Sequence, residues 1–68
     1  MTNAQTAEIL DNLGTIYKDL SSYDSSLLFH NQALRLQQVL GNRDAVAVCY
    51  KNIGNVYMQM AKYEDALD

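Results

Sequence analysis

The chain repeats itself, and this limits its possible folds more than any other feature. Shifted onto itself by 40 residues, it sets Ala7 on Ala47, Asn12 on Asn52, Gly14 on Gly54, Tyr17 on Tyr57, Tyr23 on Tyr63 and Leu27 on Leu67. Similar residues fill the slots between: Leu13 and Ile53, Ile16 and Val56, Leu20 and Met60, Asp24 and Glu64. The matches fall on small, aromatic and apolar slots at helical intervals. A period of that order marks stacked supersecondary units, each unable to bury its apolar face alone.

Each unit reads as helix, short turn, helix. Ile9, Leu10, Leu13, Ile16, Tyr17 and Leu20 recur at three- and four-residue steps and make one apolar stripe. Ser21-Ser22 interrupts, and Ser22 can cap a second helix that carries Leu27, Phe29, His30, Ala33, Leu34, Leu36 and Leu40. Gly41 suits the left-handed end of that helix. Asn42 or Asp44 can cap a third helix bearing Val46, Val48, Cys49, Tyr50, Ile53, Val56, Tyr57 and Met60. A fourth helix is expected to start near Tyr63. Nothing at Ala61-Lys62 stops a helix, however, so the third and fourth can run together. Composition agrees with helices alone. With no proline and three glycines the chain lacks the turn residues of an all-β domain, and at 49% apolar against 19% charged it is too apolar for disorder.

The string Leu13-Gly14-x-x-Tyr17 with Tyr23, Leu27 and Ala33, and again Ile53-Gly54-x-x-Tyr57 with Tyr63, Ala66 and Leu67, resembles the tetratricopeptide repeat. The usual period of that repeat is about 34. A spacing of 40 is similar to the longer-helix variant of kinesin-light-chain-like adaptors. The resemblance implies an all-α fold of antiparallel helix-turn-helix repeats, an α-solenoid fragment with about three helices plus the start of a fourth. Residues 1–68 then form a single unit: repeat one over about 3–41, and a truncated repeat two over about 43–68. Gly14 is expected where the first and second helices cross, with Ser26 and Ala33 opposite it. The family usually has alanine where Ser26 stands and a large aromatic where His30 stands, so both departures are expected to loosen the first unit.

Little in the chain suggests catalysis. His30 and Cys49 are single copies without companion ligands, so no metal site is expected. His30 reads as a helix packing residue and Cys49 as a small core hydrophobe. A Cys-His nucleophile would need a pocket and an orienting group, for which a chain this short has little room. Gly14 and Gly54 stand alone, so there is no phosphate-cradling loop. The expectation is a protein that is not an enzyme and needs no cofactor. The net charge of −3 speaks against a nucleic-acid surface. No signal peptide or apolar membrane span is visible. One cysteine fits a reducing compartment, hence a cytoplasmic location.

Binding is the better candidate. By resemblance, the first helix of each unit lines a concave groove, with Glu8, Asp11, Asn12, Thr15 and Lys18 on one unit and Val48, Lys51, Asn52, Asn55 and Met58 on the next. Asn12, Thr15, Lys51, Asn52 and Asn55 are the expected contacts to an extended peptide or partner helix. An amide both donates and accepts, so an asparagine ladder suits a peptide backbone. The same asparagines can instead be solvated or bond a neighbouring helix. Lys51 and Asn55 also resemble two members of a carboxylate clamp, but Asp11 stands where the first unit would need a lysine. The competing reading is self-assembly. Ile53, Val56, Tyr57 and Met60 would lack a covering helix and make a homo-oligomer, by stacking or by exchange of the long third-plus-fourth helix.

Overall fold

The structure is a computed structural model that describes residues 3–67, and side chains as far as residue 64. It contains α1 (Ala4–Asp19), α2 (Tyr23–Leu40) and α3 (Arg43–Leu67). No strand occurs among the described residues. The chain is therefore all-α, and α1 packs chiefly on α2 and α2 on α3. The equivalence of Leu27 with Leu67, the side chain of Ala66 and the expected end at Asp68 fall outside what is described.

Local chemistry sets the helix ends. Asn3 caps α1: its Oδ1 accepts from the Thr6 amide at 2.9 Å and from Thr6 Oγ1 at 3.2 Å. The end of α1 closes with two bonds, Ser21 N–H to the Lys18 carbonyl at 2.9 Å and Ser22 N–H to the Tyr17 carbonyl at 2.8 Å. The end of α2 repeats this pair with Gly41 to Gln38 at 3.1 Å and Asn42 to Gln37 at 3.0 Å. Both are Schellman turns, which need one left-handed residue. Gly41 supplies it at φ 71° without strain, and Ser21 supplies it at φ 63°. Ser22 stands at the start of α2, but its side chain makes no capping bond; its carbonyl accepts from the Ser26 amide at 3.0 Å.

A side-chain-bearing residue in that conformation costs about 1–2 kcal/mol. Ser21→Gly is therefore expected to raise stability by about 0.5–1 kcal/mol, part of the relief being offset by the greater entropy of the unfolded chain. Urea denaturation of the variant checks this.

The expected fourth helix is not separate. α3 runs unbroken for 25 residues through Ala61 and Lys62, the counterparts of Ser21 and Ser22. Alanine is the best helix former, so at Ala61 continuing the helix is favoured over a left-handed turn. At 1.5 Å per residue α3 is about 37 Å long, against about 24 Å for the 16-residue α1. Its last turns project past the α1–α2 turn, where Ala61, Lys62, Tyr63 and Glu64 are exposed.

The core is narrow. Ala7, Ala33, Cys49 and Val56 are its buried apolar residues, joined by the polar Ser26, His30 and Gln37. On α2 the stripe Ser26, His30, Ala33, Gln37 faces inward at steps of four, three and four. Tyr17 and Phe29 stack across the first hairpin, with centroids 5.4 Å apart and rings 10° from parallel.

Candidate functional site

The three helices meet at one carboxylate. Asp11 on α1 sends Oδ1 to His30 of α2, whose Nδ1–H donates at 2.6 Å. Its Oδ2 accepts from Asn52 Nδ2 at 3.2 Å and takes a weak contact from Cys49 Sγ at 3.7 Å, both on α3. The His30 side chain is 1% exposed and that of Asp11 19%. A single acidic group thus satisfies donors from two other helices in a region of low dielectric, where such bonds are strong and their loss is costly.

The His30 ring also fills the space above Gly14. A Cβ built at Gly14 would lie 2.6 Å from His30 Cδ2 and Nε2. Beside it, Ser26 Oγ donates to the Gly14 carbonyl at 2.6 Å. The two residues expected to loosen the first unit therefore tie it together. Serine bonds the carbonyl at the crossing, and histidine replaces aromatic bulk with a ring that reaches Asp11.

Cys49 is 1% exposed. Burial first, then the Asp11 charge and its hydrogen bond, push the thiol up to about 11 from 9.0. A group so poor in thiolate is no nucleophile. Reaction of folded protein with a thiol reagent near pH 8 should be at least about a hundredfold slower than that of the urea-unfolded chain. Rapid labelling of the folded protein would contradict this placement. Among the described residues no group of three or more His, Cys, Asp and Glu could hold a metal ion. No helix is long and apolar enough to cross a membrane, among the residues described.

The groove residues do not behave alike. Asn12, Thr15 and Lys51 are exposed, and Asn55 is half-buried. Asn52 is half-buried and already bonded to Asp11, so the two asparagines of one repeat slot are inequivalent. Asn52 bonds a neighbouring helix, whereas Asn12 is exposed. Thr15 Oγ1 donates back to the Asp11 carbonyl at 3.3 Å. Asp11, expected on the open side of the groove, is turned into its floor. The Asp11–Asn52 bond links α1 to α3, and Asn12 and Lys51 flank it in sequence on the exposed side.

The four residues expected to form a self-association face differ in exposure. Val56 is 0% exposed, Ile53 and Met60 are half-buried, and only Tyr57 is well exposed at 56%. Val56 lies seven residues, two helical turns, after Cys49, so the two share the stripe that α3 turns inward. Their counterparts Ile9 and Ile16 on α1 are 60% and 53% exposed. Met60 borders a shallow cleft with Ser21, Ser22, Tyr23, Asp24 and Ser25 at the first turn. Gly54 shows the reverse asymmetry: nothing lies within 4 Å of a Cβ built there.

The tetratricopeptide repeat family model matches residues 3–68. The chain belongs to the tetratricopeptide repeat family. Comparison with curated proteins and with solved structures gives no match. Membership makes the chain a protein–protein interaction module in general terms. Members of the family are generally non-catalytic scaffolds that bind protein partners. The roles of Asp11 and Asn3 were not visible beforehand. An Asn-x-x-Thr start is a capping signal that could have flagged Asn3, whereas only the fold brings Asp11 to His30.

Proposed function

We propose that this tetratricopeptide module binds an extended peptide along the α1–α3 side of the molecule, through Asn12, Thr15, Lys51 and Asn55. The observation that supports this is the Asp11–Asn52 link. It fixes α1 against α3 and leaves donors and acceptors exposed on both sides of one floor. A peptide strand running there meets amides that pair with its N–H and C=O groups. The exposed Lys51 favours an acidic side chain or a free C-terminal carboxylate. Asp11 is an anion at a position where a carboxylate clamp needs a cation, so it does not complete such a clamp. Cys49 as a buried free thiol fits a reducing compartment, and we place the module in the cytoplasm.

Amide-resolved NMR titration with peptides ending in Asp or Glu tests the reading. Shifts should cluster at Asn12, Thr15, Lys51 and Asn55. Shifts confined to other faces, or none, count against it. Asn52 is a poor probe for mutation, since its loss also releases Asp11.

A second reading, association of copies, is favoured by the open slot at Gly54 and the exposed Tyr57 beside it.

A further inference from the structure

In the first unit the chain folds back on itself. Ser26 lies twelve residues after Gly14, yet its hydroxyl reaches the Gly14 carbonyl at 2.6 Å because the chain turns at Ser21. Gly14 is sealed as a result. The second unit carries the same slots, Gly54 for Gly14, Tyr57 for Tyr17, Tyr63 for Tyr23 and Ala66 for Ser26. There the chain does not turn. α3 is straight through Ala61, so the segment that begins at Tyr63 starts about 14 Å along the same rod from Gly54, and position 66 lies about 18 Å along it. It cannot reach the slot that its sequence matches. Gly54 is accordingly open, with Tyr57 and Tyr63 exposed at 56% and 55%.

We infer that the occupant of the Gly54 slot is the segment from Tyr63 onward of a second copy of this chain, in a reciprocal exchange. This rests on the association reading above and names its partner, segment and register. Placing Ala66 of each chain at Gly54 of the other, as Ser26 stands to Gly14, makes the two α3 helices antiparallel. Residue 54 then faces residue 66 of the partner and the two-fold axis passes near residue 60. The contact is isologous, so one open slot and one free segment on each chain are both used and the assembly closes at two. The exchanged contact repeats a packing that the first unit already makes within the chain. The hinge is Ala61, where the helix continues; in the first unit the equivalent Ser21 takes the left-handed turn.

Sedimentation equilibrium of the full chain reads this directly. The expected mass is twice 7.7 kDa. Gly54→Leu should weaken the dimer about tenfold or more, because its side chain occupies the slot that the partner needs. The isolated chain tolerates it, having no atom within 4 Å there, and circular dichroism should show unchanged helicity. Ala61→Gly, which makes the left-handed turn accessible, should also shift the population toward monomer. Ala61→Cys lies two turns from Gly54 near the axis and should form an interchain disulfide on mild oxidation. Thr15→Cys, on exposed α1, should not. A stable monomer of the wild-type chain at millimolar concentration would overturn the association reading itself. A dimer that survives Gly54→Leu undiminished, or in which Thr15→Cys cross-links as well as Ala61→Cys, would overturn the exchange and leave association standing.

Discussion

Asp11→Ala is expected to destabilise the fold by about 3 kcal/mol, measured by urea denaturation. The carboxylate is the partner of a His30 side chain that is 1% exposed, and of Asn52 and Cys49 on the opposite helix. Removing it leaves buried donors unmet on two helices at once, and an unmet buried polar group costs about 1–3 kcal/mol, more when charged. A 68-residue chain has a total stability of only about 3–10 kcal/mol. At the lower end of that range the variant is partly unfolded even without denaturant. Asp11→Asn keeps an acceptor and much of the shape, so it should lose less, about 1–2 kcal/mol. Equal losses in the two variants would show that volume, not hydrogen bonding, is what Asp11 supplies.

Gly14→Leu should cost about 3 kcal/mol by the same assay. The first added carbon already lies 2.6 Å from two atoms of the His30 ring, which is closer than real contacts allow. In an open setting the ring would swing aside. Here it is buried and held at 2.6 Å by Asp11, so moving it sacrifices that bond. The overpacking term, about 1–3 kcal/mol, adds to the loss of the bond. Gly14→Ala meets the same clash with one carbon only and regains about 1 kcal/mol of helix propensity, so its net loss should be smaller. A Gly14→Leu protein as stable as wild type would mean that the crossing is not where the structure puts it.

The repeat made much of the fold readable. Gly14 at the crossing, Gly41 in the left-handed turn and Ala33 and Cys49 in the core all follow from slot and spacing. The continuity of α3 was readable as well, because Ala61-Lys62 lacks any feature that stops a helix. Other features were hidden by the repeat itself. A repeat alignment treats corresponding slots as alike, but Asn12 is exposed while Asn52 is bonded to Asp11. Likewise Ile16 is exposed while Val56 is buried, since α3 has the first unit beside it and, among the described residues, no helix covers Ile16 of α1. The two aligned apolar stripes therefore differ in which residues they leave exposed. The Asp11–His30 pair is 19 residues apart in sequence and has no local signature, so only the packing of α1 on α2 reveals it. Among the described residues the buried acceptor Gln37 Oε1 has no partner, and no sequence signal accounts for it.

We propose that the module binds an extended peptide beside the Asp11–Asn52 link, with Lys51 favouring acidic ones. The most direct test is calorimetric titration of peptides with acidic C-termini into the wild-type chain and into Lys51→Glu. Lys51 is exposed, so the substitution should leave stability within about 0.5 kcal/mol. Saturable one-to-one binding that weakens about tenfold or more in Lys51→Glu is the predicted result. No saturable binding by any such peptide, or equal affinity in the two proteins, would contradict it.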